Sequence, residues 1–179
     1  MTLFQSVGRW WAFYALAAAT AMLAAAHGFE HFMNLPPCAL CLKQRDVYWL
    51  AIGVSAIASA WALFSQSRGT PRVASYLLFA IFATGAIVAT FHAGVELKWW
   101  PGPSTCTTAG TDAVSIDAIA SLLAGKTVKP PMCDIVPWTF LGISMAGWNA
   151  VVSGLLALAS LLSSLRRKGK PGVVLTASA

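Results

Sequence analysis

The four cysteines are the residues of this chain best suited to chemistry. Cys38 and Cys41 form a C-x-x-C pair, whereas Cys106 and Cys133 lie 27 positions apart. A thiolate attacks disulfides and electrophiles, and it also binds metals. The residue types therefore predict thiol–disulfide exchange, structural disulfides or a four-cysteine zinc site. One C-x-x-C with a distant second pair is weak spacing for zinc.

The two pairs differ in what a disulfide within each would do. A disulfide within the C-x-x-C pair stabilises the fold by only about 2 kcal/mol through its restraint of the unfolded chain. A disulfide between Cys106 and Cys133 stabilises it by about 3.5 kcal/mol. The C-x-x-C pair would therefore form the less stabilising disulfide and is the better redox couple. A purely stabilising disulfide stays open as an alternative.

The residues around the C-x-x-C pair favour a thiolate. Pro37 suits the first turn of a helix, which would place Cys38 or Cys41 at a helix N-terminus, where the dipole stabilises negative charge. Lys43 and Arg45 add positive charge nearby.

Arg45 lies about one turn beyond Cys41, near the predicted outer edge of the membrane, where an unpaired charge is costly. It either donates to a carbonyl or oxyanion of a membrane-soluble ligand or snorkels into the interface. His92 is placed to hydrogen-bond the same ligand. Covalent haem is disfavoured, because Leu42 and not histidine follows Cys41.

The composition predicts an integral membrane protein. Of the 179 residues, 58% are hydrophobic and 10% are charged, against about 25% charged residues in soluble domains. Disordered chains show the opposite balance. A helix needs about 20 apolar residues to cross a bilayer. We expect a single all-α domain, a four-transmembrane-helix bundle, with spans at 10–29, 47–64, 73–92 and 140–162 and loops at 30–46 and 93–139.

The charges predict the orientation of these spans. The net charge of +6 comes from 12 Lys and Arg against 6 Asp and Glu. The basic residues of the two termini and the short loop 65–72 place both termini in the cytoplasm by the positive-inside rule; they are Arg9, Arg68, Arg72, Arg166, Arg167, Lys168 and Lys170. All four cysteines then lie on the outer side, where disulfides persist. A first span cleaved as a signal peptide would leave this orientation unchanged.

The second outer loop is long enough to carry structure of its own. Apolar residues recur at helical spacing between Ser115 and Gly125, and these two residues suit a helix start and stop. We expect a short amphipathic helix, lying either on the membrane surface or against the spans.

The combination of features resembles one family. Four spans, a C-x-x-C pair followed by Gln44-Arg45, and a second outer pair at Cys106 and Cys133 resemble the bacterial disulfide-bond formation protein B family, DsbB. His92 at the end of the third span also matches. The resemblance implies a thiol:quinone oxidoreductase of the bacterial inner membrane. It would re-oxidise a periplasmic DsbA-type, thioredoxin-like protein and so support disulfide formation in secreted proteins.

The resemblance also implies a role for each cysteine. The resting disulfides are Cys38–Cys41 and Cys106–Cys133. Cys106 forms the mixed disulfide with the DsbA-type partner, and Cys133 exchanges with Cys38. The cofactor is a quinone, with ubiquinone favoured over menaquinone, and the residues implied to bind it are Cys41, Arg45 and His92. The expected partners are the DsbA-type protein, the membrane quinone pool and the lipid bilayer, with no nucleic acid.

Three other functions stay open. An enzyme similar to vitamin K epoxide reductase would use the same chemistry, but its C-x-x-C lies in the last part of the bundle. A membrane scaffold would hold two structural disulfides, or a metal bound by four thiolates. A reductase that moves electrons outward would favour cysteines accessible within the membrane or from the cytoplasm, and no cysteine is predicted there.

Overall fold

The computed structural model describes residues 8, 10–65, 69–103, 106 and 132–165. In this part of the chain four helices are long and apolar enough to cross a membrane; they are α1 (Trp11–Met33), α2 (Ala39–Phe64), α3 (Arg72–Glu96) and α4 (Met145–Ser164). The predicted fold class, a four-helix membrane bundle, is confirmed. The predicted helix Ser115–Gly125, Arg9, Arg68 and the basic residues after 165 lie outside the described residues.

The connection between α1 and α2 places the C-x-x-C pair. Asn34 ends α1 in the left-handed conformation (φ 52°), which asparagine tolerates better than most residues. Pro36 and Pro37 follow and cannot continue the helix. Helix α2 then begins at Ala39, eight residues before the predicted span at 47. The charged segment 43–46 is therefore helical, although it is too polar to be recognised as part of a span.

A small hairpin precedes α4. Strands β1 (Thr139–Phe140) and β2 (Ile143–Ser144) pair antiparallel, with Thr139 opposite Ser144. The turn between them has positive φ at Leu141 (53°) and Gly142 (77°). Ser144 then caps α4 by accepting the Gly147 N–H at 3.1 Å. The fourth helix consequently starts five residues after the predicted span at 140, because the apolar run 140–144 is a hairpin.

The helices pack through small residues. Helix α3 lies along α4, and α2 lies against both α1 and α3. The buried side chains are mostly alanine and serine, and the largest that are fully buried are Phe82 and Leu78. Small residues allow the helix backbones to approach closely, as is typical of helix packing in membranes. Large apolar side chains instead face outward, among them Ile57, Phe64, Val73, Ile87 and Leu155.

Several polar side chains inside the bundle are paired with each other across helices. The Trp11 indole donates to the Ser160 hydroxyl at 3.0 Å and so joins α1 to α4. The Tyr48 hydroxyl donates to Asn149 Oδ1 at 2.5 Å and so joins α2 to α4. Because the bilayer core holds no water to replace these bonds, such pairs stabilise one arrangement of the helices.

At Gly85, α3 packs closely against side chains of α2 and α4. A Cβ atom there would lie 3.0 Å from Val47 Cγ1 and 3.4 Å from Ser153 Oγ. We expect Gly85→Ile to lower the free energy of unfolding by about 1–3 kcal/mol through overpacking. Gly154→Ile is the matched control, because a Cβ at Gly154 meets nothing within 4 Å. Thermal unfolding midpoints in detergent test this, and equal losses in both variants would show that Gly85 is not a packing constraint.

Candidate redox site

Cys38 begins helix α2 as its N-cap residue. Its backbone is extended (φ −78°, ψ 170°), and its sulfur accepts the Cys41 N–H at 3.2 Å. Cys41 therefore lies in the first turn of the helix. The structure places the C-x-x-C pair at the helix N-terminus, where the unpaired backbone N–H groups and the dipole favour a thiolate.

The two sulfurs of this pair differ in their surroundings. Both are free thiols in the structure; Cys38 is buried and Cys41 is half-buried. The hydrogen bond with the Cys41 side chain and burial raise the pKa of the Cys38 thiol. Cys38 therefore keeps its proton more readily than an ordinary cysteine. The Cys38–Cys41 disulfide stays a prediction.

Cys106 and Cys133 are joined by a disulfide, with their Cα atoms 5.2 Å apart. Both are buried, and they pack in one apolar cluster with Cys38, Leu40 and Val95. Cys41 is packed against the same cluster. The structure thus brings all four cysteines to one end of the bundle and puts Cys38 beside the second pair.

His92 lies behind Cys38. Its Nε2 atom is 3.6 Å from Cys38 Sγ, and its Nδ1 atom is 2.8 Å from the Gln44 side-chain nitrogen. The carboxylate of Glu96 lies 4.0 Å from Nε2 and accepts the Ser144 hydroxyl. The ring also forms a hydrogen bond with the backbone of Cys133. Its polar contacts are therefore with both cysteine pairs, and a contact between His92 and a bound ligand stays a prediction.

Behind His92 lies a chain of buried amides and hydroxyls. The Gln44 side-chain oxygen accepts from the Asn149 amide nitrogen. Asn149 Oδ1 in turn accepts from Tyr48 at 2.5 Å and from Ser153 at 3.2 Å. Sequence reasoning missed this chain as a feature of the site. Its one visible signal was Asn149 in the middle of an apolar span.

A cavity of about 360 Å³ opens between α1, the start of α2, the hairpin and α4. Its wall is mostly apolar and aromatic, and the rings of Phe29, Trp138 and Phe140 pack against each other there. The polar groups that reach it are few; they are Cys41, Gln44, Arg45, Tyr48 and Asn149. An apolar cavity with a few convergent polar groups is typical of a small-molecule site.

Arg45 lines this cavity with its charge compensated. Its Nη1 atom donates to the Glu30 carboxylate at 2.5 Å, and Nη2 donates to the Ala26 carbonyl at 3.2 Å. The Arg45 side chain is only 14% exposed. Glu30 was not recognised from the sequence, because it lies fifteen residues away in what reads as a loop.

The segment after Cys133 is tied to the end of α3. Lys98 Nζ donates to the Asp134 carboxylate at 2.5 Å and to its carbonyl at 2.8 Å. The Lys98 ammonium lowers the pKa of Asp134. A lowered carboxyl pKa means that the pair stabilises the fold above the ordinary pKa of aspartate and loses that effect as the pH falls through the lowered value. The tie is therefore intact at neutral pH.

Comparison with known proteins identifies the family. The family described as "Disulfide bond formation protein DsbB" matches residues 8–163. The chain belongs to this DsbB family. Its similarity to a disulfide bond formation protein B of Albidiferax ferrireducens is 31% identity over 170 residues, covering 91% of this chain and 90% of that protein. The protein of the same name from Marinobacter nauticus is 32% identical over 152 residues, covering 82% and 85%.

Membership in the DsbB family, together with four membrane-spanning helices, indicates a multi-pass membrane oxidoreductase that forms disulfide bonds. The cysteines at the head of α2 are the residues whose chemistry matches that activity. Cys41 also lines the apolar cavity.

The environments of the two α2 sulfurs predict unequal reactivity. In a Cys106→Ala/Cys133→Ala protein that has been fully reduced, we expect a small maleimide to label Cys41 well before Cys38. The reason is that Cys38 is buried with a raised pKa, and the thiolate is the reacting species. Peptide mass spectrometry at successive times measures both rates. Faster labelling of Cys38 would contradict this assignment.

Proposed function

We propose that this protein is a thiol:quinone oxidoreductase that re-oxidises a DsbA-type dithiol protein and passes the electrons to a membrane quinone. One observation carries the proposal: both cysteines at the start of α2 adjoin the cluster of the Cys106–Cys133 disulfide, but of the two only Cys41 also lines the cavity. Cys38 packs against the Cys106–Cys133 disulfide, whereas Cys41 lines the cavity with Arg45.

Thiol–disulfide exchange then runs from the second pair to the first. A thiolate of the reduced partner attacks Cys106, and the bond to Cys133 breaks. The partner's second thiol displaces Cys106 and leaves the partner oxidised. Cys133 attacks Cys38 of the Cys38–Cys41 disulfide and releases Cys41 as a thiolate. Cys106 then attacks Cys133, which restores the second disulfide and leaves Cys38 and Cys41 as a dithiol.

The residues of the cavity fit a quinone. A quinone accepts two electrons and two protons, which the Cys38 and Cys41 thiols lose when they form a disulfide. The aromatic wall of Phe29, Trp138 and Phe140 suits a flat apolar ring. Arg45 supplies N–H donors for a carbonyl oxygen on which negative charge develops. We propose ubiquinone rather than menaquinone as the electron acceptor.

His92 serves this reaction through Cys38. Its Nδ1 accepts from the Gln44 amide, so its Nε2 carries the proton and points at Cys38 Sγ. An N–H at that position stabilises negative charge on the sulfur that Cys106 releases when it attacks Cys133. Of the implied quinone-binding residues, Cys41 and Arg45 line the cavity, and we assign His92 to positioning the Cys38 sulfur.

The orientation that this function needs agrees with the distribution of charge. Basic residues cluster in the termini and in loop 65–72, which supports cytoplasmic termini by the positive-inside rule. The ends of α1 and α3 and the start of α2 then face the periplasm with all four cysteines. The protein would be in the bacterial inner membrane, within reach of a periplasmic partner and the quinone pool.

Quinone reduction by the purified protein tests the proposal. With a reduced thioredoxin-like oxidase as electron donor, we expect the quinone absorbance to fall and the fall to stop in Cys41→Ser and in Cys106→Ser. Cys106→Ser blocks entry of electrons, whereas Cys41→Ser blocks their exit. No reduction by the wild-type protein with ubiquinone or menaquinone analogues would instead favour a membrane scaffold with structural disulfides.

Arg45 should act on the quinone and not on the protein partner. We expect Arg45→Ala to raise the KM for quinone about 10- to 100-fold, because hydrogen bonds from charged groups contribute about 1.5–3 kcal/mol. The KM for the dithiol donor should be unchanged. Lys43→Ala is the matched control, since Lys43 is exposed on the same turn, and Arg45→Lys tests whether the planar fork of donors is needed. Equal effects on both KM values would remove this role.

A further inference from the structure

Three side chains of metal-ligating types lie close together at the N-terminal end of α2. The ligand atoms of Cys38, Cys41 and His92 all lie within 4.8 Å of one another. The Cys38 sulfur and the His92 Nε2 are 3.6 Å apart. In a tetrahedral zinc site with Zn–S of about 2.3 Å and Zn–N of about 2.0–2.1 Å, a sulfur and a nitrogen ligand are about 3.5–3.6 Å apart. The pair is therefore already at the spacing that zinc requires.

The donor set and its charge suit the same ion. Two cysteines and one histidine with an open fourth position are a known zinc ligand set, and C-x-x-C is a common zinc spacing. Two thiolates neutralise Zn²⁺, so the complex carries no net charge. This matters because Cys38 and His92 are buried, and an uncompensated charge is costly there.

The groups around the imidazole would hold it in the ligating orientation. A metal-bound histidine usually donates its other ring N–H to an acceptor, and His92 Nδ1 already faces the Gln44 amide at 2.8 Å. If the amides of Gln44 and Asn149 both turn over, Gln44 accepts from Nδ1 and donates to Asn149, and Asn149 donates to the Tyr48 oxygen. The chain of hydrogen bonds thus stays complete, and a metal at Nε2 would replace the hydrogen bond between the ring and the Cys133 backbone.

We propose that the reduced protein binds one Zn²⁺ through Cys38, Cys41 and His92, and that the ion blocks the redox cycle. Binding releases the two thiol protons and changes no oxidation state. The bound sulfurs are held as thiolates on the metal and are not free to form their disulfide. The fourth position is left to water or an added ligand. The oxidised pair has no thiolates to offer, so sensitivity to zinc belongs to the reduced state alone.

The second cysteine pair takes no part in this site, because Cys106 and Cys133 are bonded to each other. The four-cysteine zinc site weighed from the sequence is thus replaced by a site with two cysteines and His92. His92 lies 51 positions beyond Cys41, and only the packing of α3 beside the start of α2 brings them together.

Co²⁺ is the probe for the site, since it shows thiolate charge-transfer bands and intense visible bands in tetrahedral sulfur sites. The protein is reduced, freed of reductant and titrated without oxygen, and Zn²⁺ is then added to displace the cobalt. We expect one equivalent of Co²⁺ with those bands, and no bands for the oxidised protein. Cys38→Ser, Cys41→Ser and His92→Gln should each abolish or strongly weaken them, and circular dichroism checks that each variant is folded.

Two further variants separate the site from other thiols. Cys106→Ala/Cys133→Ala should keep the full spectrum, because it leaves the three ligands intact. Gln44→Ala should lower the Zn²⁺ affinity about 10- to 100-fold, as removal of a partner of a metal-bound histidine does. Bands that persist in His92→Gln, or that vanish in the Cys106→Ala/Cys133→Ala protein, would overturn the assignment.

The block on the redox cycle rests on the proposed function and has its own readout. Zn²⁺ incubated with the reduced protein, with the excess removed before the assay, should slow quinone reduction and a chelator should restore it. The same treatment of the oxidised protein should have no effect. If the metal bands appear but the protein reduces no quinone, the metal site stands and the proposed function is rejected. Turnover that is unaffected by saturating Zn²⁺ would reject the block.

Discussion

Everything at this end of the bundle depends on one constraint, which is that polar groups beside lipid need protein partners. The constraint is met twice near the start of α2. The Arg45 guanidinium is held by Glu30 and by a backbone carbonyl of α1. On the other face, Gln44 links His92 to Asn149. These bonds fix α2 against α1, α3 and α4, and the same side chains form the walls of the site.

That arrangement gives the two α2 cysteines different neighbours. As the N-cap, Cys38 turns toward α3 and the Cys106–Cys133 disulfide. Cys41 lies one turn along, on the wall of the cavity. The hairpin of residues 139–144 closes the cavity with Phe140 and positions the cap of α4.

The sequence was sufficient for the features that depend on composition and local pattern. Long uncharged runs predicted four helices, and Pro37 before a C-x-x-C predicted a helix start at the cysteines. It was insufficient where a contact joins distant elements. Glu30 reads as a loop residue because its charge ends the apolar run, but it lies in α1 and its partner Arg45 is on another helix. The start of α4 was wrong by five residues, because the turn at Leu141-Gly142 is hidden in an apolar run. Hydropathy registers how apolar a segment is, but not the bonds its backbone makes.

The separation of Cys38 from Cys41 has a consequence for the kinetics of such a protein. In the proposed cycle, the reactant that meets Cys106 and the reactant in the cavity would react with different cysteines and would occupy different places. Each would bind and dissociate independently, and the reduced cysteines would hold the electrons between the two half-reactions. The proposed scheme would be a double displacement in which neither reactant competes with the other for a binding site. An inhibitor bound in the cavity would therefore leave the Cys106–Cys133 pair free to exchange with its partner until all four cysteines are reduced.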